Sequence, residues 1–170
     1  MLSRDNTDPD AVRPSAPTPI RAVLDTNILV AYALLGDAAA RRHDAIRRCV
    51  ERVRADRGLV GSTETLAELE EVLMRPTFDR YTPAADRRAF LDRISGEMTL
   101  VAPAAVGRLC RDPEDDMFLA AAVGGSVPWL VTVDRQLLSV RRAAETRVLR
   151  PERFLEALAL PNAPRNGRRI

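Results

Sequence analysis

No lysine occurs anywhere in the chain; all 26 basic residues are arginine. That excludes any mechanism that needs a catalytic lysine. It leaves arginine as the only strong phosphate partner, a task its planar fork suits well. Histidine is almost as scarce. His43 stands alone, so Ser–His–Asp and Cys–His schemes have no support and a histidine-rich zinc site is excluded. Cys49 and Cys110 lie far apart, outside any CxxC pair, and read as buried reduced thiols. Aromatic residues make up only 4% against 46% hydrophobic overall, so the core must be aliphatic. No segment approaches the roughly 20 apolar residues of a membrane helix. The opening, Met1-Leu2-Ser3-Arg4-Asp5, has no apolar run behind it that could serve as a signal peptide. A soluble cytoplasmic protein, not associated with membranes, is the default expectation. The net charge of +2 is too small to indicate nucleic-acid binding without a local patch.

What is present fits one domain with one core. Residues 1–19, with Pro14, Pro17 and Pro19 among polar neighbours, bury too little apolar surface to offset chain ordering. They are expected to form a disordered tail, as are residues 161–170, leaving a domain over 20–160. Inside it, strand and helix signals alternate. Ala22-Val23-Leu24 is a short apolar run ending at Asp25, followed by a short helix over 26–34 and an arginine-rich helix over 37–57, stopped by Gly58. Leu59-Val60 is a second strand. Ser62 or Thr63 caps a helix to Met74, and Thr82-Pro83 opens another to about Glu97. Thr99 to Val101 is a third strand. Asp112-Pro113 opens a helix through Val123, closed by Gly124-Gly125. Trp129 to Val133 is the clearest strand, a short helix covers 135–141, and Arg147 to Leu149 reads as an edge strand. Pro151 starts a last helix with Phe154, Leu155 and Leu158 facing inward. Such alternation implies a mostly parallel sheet with helices on both faces, a three-layer α/β/α sandwich. Ligand sites in such sheets lie at the carboxyl ends of the strands, near a topological switch point.

The acidic residues gather chemical interest there. Asp25 and Asp134 each follow an apolar strand directly. Glu114, Asp115 and Asp116 crowd one helical turn, more acid than the helix dipole requires. Asp115 and Asp116 point to different faces, so only one of them should enter a cleft. Glu64, Glu68 and Glu71 form one stripe of the 63–74 helix, opposite Leu66, Leu69 and Leu73. Spacing does not select among the three glutamates. Two unit charges about 5 Å apart repel by roughly 3 kcal/mol at an effective dielectric near 20. A convergence of carboxylates therefore needs protons or hard divalent cations.

Four segments together resemble the PIN (PilT N-terminus) domain family. They are Val23-Leu24-Asp25-Thr26-Asn27-Ile28-Leu29, Ser62 through Leu73, Asp112 through Ala120, and Leu130-Val131-Thr132-Val133-Asp134. They occur in the family's order, and the third points to the subgroup of toxin components of bacterial toxin–antitoxin pairs. The resemblance implies that Asp25, Glu68, Asp116 and Asp134 are catalytic and hold Mg2+ or Mn2+. It implies that Asn27 and Thr132 orient them, with Asp115 and Glu64 as outer partners. Many relatives carry a second acid two residues after the fourth; here that position is Gln136, which suggests a weaker second metal site.

The implied activity is metal-assisted hydrolysis of RNA phosphodiesters, with a cognate antitoxin protein and a homodimer as expected partners. Arg135, beside Asp134, is the better phosphate candidate. The 37–57 helix, with Arg41, Arg42, Arg47, Arg48, Arg52, Arg54 and Arg57, could guide RNA, form internal ion pairs, or face an antitoxin. Two other readings compete. One is a PIN-fold module that binds RNA or protein with weak or no catalysis. The other is an aspartyl phosphotransfer domain, disfavoured by the missing lysine and by Asn27 where phosphatases of the haloacid-dehalogenase type place an acid.

Overall fold

The computed structural model describes residues 18–34 and 43–160. The expected tails therefore lie outside the described residues, apart from Thr18 and Pro19, which are exposed. The order of elements is β1 (Ala22–Leu24), α1 (Thr26–Leu34), α2 (Asp44–Ala55), β2 (Leu59–Gly61), α3 (Thr63–Leu73), α4 (Ala84–Glu97), β3 (Thr99–Leu100), α5 (Asp116–Gly124), β4 (Trp129–Val131), α6 (Arg135–Val140), β5 (Arg142–Ala143), β6 (Thr146–Leu149) and α7 (Pro151–Leu158). Two 3-10 turns, Pro76–Phe78 and Pro113–Asp115, precede α4 and α5. The expected 37–57 helix is seen from Asp44; its residues 37–42, with Arg41 and Arg42, are outside the described part.

The strands form one sheet in the order β3-β2-β1-β4-β6-β5. Every pairing is parallel except β5 with β6. Side chains alternate across it, as the period of two requires. Ala22, Leu24, Leu59, Trp129 and Val131 join the cluster formed with α1, α2, α3, α4 and α7. Val23, Val60, Leu130 and Val148 join Phe118, Leu119, Ala122 and Leu137 from α5 and α6. Two cores on opposite faces of one sheet make the expected three-layer sandwich. Each fully buried aliphatic or aromatic side chain contributes roughly 1.5–3 kcal/mol. Trp129 packs edge-on against Phe154 at 5.8 Å, which fixes α7 to β4.

Local chemistry explains the helix starts. Ser62 accepts a hydrogen bond from the Thr65 N–H while the Thr65 hydroxyl receives the Ser62 N–H, a reciprocal cap for α3. Arg87, on α4, is 1% exposed yet charged. Its guanidinium donates to the carbonyls of Leu73, Arg75 and Thr82 and pairs with Asp79. It ties the end of α3 to the start of α4 by satisfying carbonyls the helix end leaves open.

Two expectations are corrected. The strand over 147–149 is not an edge. β6 lies between β4 and a short antiparallel β5, because Ala144, with φ 48°, turns the chain back on itself. The 129–133 strand pairs only to Val131, and Val133 is 37% exposed. At the stop after α2, Arg57 rather than Gly58 takes the left-handed conformation (φ 51°). Gly58 is needed for space: a Cβ there would lie 1.6 Å from the Ile20 carbonyl oxygen.

Candidate active site

The chain runs β1, β2, β3 outward on one side, then returns to place β4 on the other side of β1. The switch point is thus the β1–β4 seam. Leu24 and Val131 are in register across it, so Asp25 and Thr132 emerge at the same level. The Asp25 N–H donates to the Val131 carbonyl at 3.0 Å, and the Thr132 N–H donates to that of Leu149 at 3.0 Å. Strand pairing therefore fixes both residues.

Asp25 is 3% exposed. Its Oδ2 accepts the Thr132 hydroxyl at 2.5 Å and its Oδ1 accepts the Asn27 N–H at 3.2 Å. Burial pushes its carboxyl above the ordinary range; the bonds from Thr132 and Asn27 pull it back, and the negative charge of Asp134 pushes it up again. The Thr132 hydroxyl also accepts the Asp134 N–H at 2.9 Å. One hydroxyl thus ties Asp25 to the backbone of Asp134. Asp134 caps α6, its Oδ1 accepting from Gln136 and Leu137 at 2.6 and 3.1 Å. Gln136 brings no acid to the site.

Glu68 is singled out among the glutamates of α3. Its Oε2 accepts the hydroxyl of buried Thr26 at 2.7 Å. Partial burial raises its carboxyl, the Thr26 bond opposes this, and Asp25 and Glu114 add to the rise. Glu71 instead pairs with Arg75 at 3.1 Å. Glu64 is exposed, and its carboxyl is lowered by a hydrogen bond with Ser62 and by its own N–H at the start of α3. It serves the helix end and is not coupled to Asp25. Thr26 escaped the sequence reading, and its only signal was adjacency to Asp25.

The structure turns Asp115 and Asp116 to different sides, as expected, with Asp116 toward the preceding loop. Asp116 turns back to the preceding loop, its Oδ1 accepting the N–H groups of Cys110 at 2.8 Å and Leu109 at 3.2 Å. Asp115 remains on the site side. Burial raises its carboxyl to about 6, followed by the charges of Asp134, Asp112, Asp25 and Glu68. The cause is local: the loop's amide hydrogens need an acceptor, and the first helical residue is the one within reach.

The charge of Asp134 thus acts on Asp25 and Asp115, and that of Asp25 on Glu68 and Asp115; none of the four acids pairs with an arginine among the described residues. Among those residues, no three acid, histidine or cysteine side chains form a ready-made cage. The donor set still fits a hard divalent cation. Magnesium binds directly to one or two carboxylates and keeps several waters, so it suits open carboxylates better than a closed cage would. Free oxygens remain on Glu68, Asp115 and Asp134. The buried thiols of Cys49 and Cys110 are pushed up to about 12 by burial, which removes them as nucleophiles.

A parallel sheet with acid side chains at its switch point defines an α/β domain with a polyacidic cleft. A family model described as PIN domain matches residues 21–136, and the chain belongs to that family. The PIN domain is generally a nuclease fold whose members use divalent metal ions, so this is a hydrolase fold. A crystal structure of PAE2754 from Pyrobaculum aerophilum is similar in fold, with 18% identity and a TM-score of 0.52, covering 82% of this chain and 90% of that one. No curated protein matches the chain. No helix among the described residues is long and apolar enough to cross a membrane.

Proposed function

We propose that the protein is a metal-dependent endoribonuclease. The observation that carries this reading is the gathering of Asp25, Glu68, Asp115 and Asp134 at the switch point, tied by Thr132 and Thr26, without a cationic partner among the described residues. Asp25, Glu68 and Asp115 would hold Mg2+ or Mn2+, with Asp134 as an outer ligand. The ion would supply Lewis-acid activation of water and neutralise charge on the leaving oxygen. The Thr132 hydroxyl donates to the Asp25 Oδ2, which fixes the carboxylate's orientation and favours its charged form. Thr26 does the same at the Glu68 Oε2. Asp115, raised to about 6, is mostly ionised at neutral pH and would be open to a cation there. Hydrolysis adds a water oxygen to phosphorus and releases a sugar oxygen that takes up a proton.

RNA as substrate, and a role as the toxin of a toxin–antitoxin pair, rest on the motif resemblance. Growth arrest on expression, relieved by the product of a neighbouring small gene, tests the toxin role. The enzymatic reading is tested with labelled RNA and DNA in Mg2+, Mn2+ or chelator, for the wild type and Asp25→Asn. RNA cleavage that needs metal and is lost in the variant is expected. Cleavage that persists in chelator or in the variant defeats the mechanism.

A further inference from the structure

The catalytic reading leaves the arginines unused, and they fall into two groups. Those on α2 are mostly neutralised. Arg47 pairs with Asp44 and Glu51 at 2.6 and 2.8 Å, Arg52 with Asp56 at 3.1 Å, and Arg54 with Glu97 at 2.6 Å. The helix expected to guide RNA therefore has little charge to offer among its described residues.

The second group is different. An open groove of about 440 Å³ lies between α6, β6 and the start of α7. Arg135, Arg141, Arg150 and Arg153 form its walls, with half-buried Leu138 and Leu149 between them, and no carboxylate among the described residues lines it. Arg153 pairs with Glu156 at 2.7 Å. Arg135, Arg141 and Arg150 make no ion pair among the described residues. The groove begins beside the candidate site, because Leu149 pairs in register with Val131 and so puts Arg150 level with Thr132. Arg135 follows Asp134 directly, and Arg150 follows Leu149, whose carbonyl accepts the Thr132 N–H at 3.0 Å. Arg141 ends α6 with φ 61°. With ψ −44° this lies outside the left-handed helical basin, and glycine is the residue that would adopt it with less strain.

We propose that this groove is the track for a single-stranded RNA, carrying its phosphates from the carboxylate centre toward α7. The proposal rests on the ribonuclease reading. An acidic centre repels a polyanion, and an adjacent cationic groove offsets that repulsion. Guanidinium forks take phosphate oxygens bidentately. Leu138 and Leu149 offer apolar contact and the guanidinium planes offer stacking to base faces, which an unpaired strand exposes and a duplex hides.

The test uses the full chain and the double variant Arg141→Gln, Arg150→Gln, which removes both charges and keeps most of the side-chain length. The control is Arg48→Gln, Arg52→Gln on α2. Fluorescence anisotropy with labelled single-stranded RNA is read in chelator over a range of NaCl. The groove variant should lower the slope of log K against log salt by about 1.4, or about 0.7 per lost phosphate contact on a single strand. The control should keep the wild-type slope. With metal, the groove variant should raise KM for long RNA while keeping kcat, and should hydrolyse bis(p-nitrophenyl) phosphate at the wild-type rate. An unchanged slope, or an equal loss in the control, overturns the groove. So does equal arginine-dependent binding of duplex RNA. Failure of the wild type to hydrolyse the small diester strikes the catalytic reading instead and leaves the anisotropy result to decide the groove.

Discussion

Replacing Asp25 with asparagine probes the electrostatics at the switch point. The wild-type carboxylate is 3% exposed, held by the Thr132 hydroxyl and the Asn27 N–H, and faces other acids. Asparagine keeps the shape but offers one acceptor oxygen where the carboxylate offered two. Each unit by which burial raises the carboxyl is about 1.4 kcal/mol against the charged form, and the substitution removes that penalty. It also loses a charge-assisted hydrogen bond worth roughly 1.5–3 kcal/mol. These oppose each other, so metal-free stability should change by less than about 2 kcal/mol. Metal-linked stability has no such offset. A cation at about 100 times its Kd contributes about 2.7 kcal/mol. In a domain of this size that raises Tm by roughly 5–10 °C. Differential scanning calorimetry across a Mn2+ titration should show that rise for the wild type, with Asp25→Asn staying flat to within about 1 °C. An equal rise in the variant would place the cation elsewhere and refute the reasoning.

Asp115→Asn should weaken Mn2+ binding by more than about tenfold. Asp116→Asn should retain most of the affinity while exposing the 107–110 loop to protease; isothermal titration with limited proteolysis distinguishes the two. Thr132→Val leaves the Asp25 Oδ2 without its donor and should weaken metal binding by about 10- to 100-fold, with Thr132→Ser restoring it. The Asp115 carboxyl sits at about 6, above its unfolded value of about 3.9, so between these values the folded state binds more protons. Metal-free stability should therefore fall as pH rises through that window, seen as a lower urea midpoint at about pH 7 than at about pH 5 relative to Asp115→Asn, and saturating Mg2+ should oppose the fall. Arg87→Met strands the carbonyls of Leu73, Arg75 and Thr82 and should cost about 3–5 kcal/mol in urea unfolding, with activity per folded molecule unchanged.

The layering was legible because its cause is local. Ala22-Val23-Leu24 and Trp129-Leu130-Val131 are apolar throughout, as strands buried on both faces must be. The positions of Asp25 and Asp134 on the sheet's rim were legible for the same reason, whereas Thr132 was read as lying inside the strand and came only from the motif resemblance. The turns were not. Arg57, Ser126, Arg141 and Ala144 all have positive φ, where sequence reading looks for glycine or asparagine. The hairpin that adds β5 depends on one of them, so the sheet's true edge stayed hidden. Glu68 could not be told from Glu64 and Glu71 by helical phase, because the difference is a hydroxyl from Thr26, distant in sequence. Helical phase left the pair Asp115 and Asp116 open for a related reason, and only the resemblance chose Asp116. Which one turns back depends on the amides of Leu109 and Cys110, and no spacing rule reports their need for an acceptor.

A net charge of +2 conceals a strong separation of charge. On α2 acids and arginines alternate at helical spacing and cancel, so that surface is solvated and nearly neutral. On the sheet's rim they are sorted instead. Acids collect at the ends of β1 and β4 and on α3 and α5, while arginines collect beside β6 and α7. Sorting like charges is unfavourable for stability, since each exposed arginine on the rim gives up an available partner and each buried acid gains a like-charged neighbour. The arrangement is therefore poorly explained by folding alone. It suits a ligand that brings both signs, a divalent cation for the acids and a phosphate chain for the arginines, and a phosphodiester strand with its metal is one such ligand.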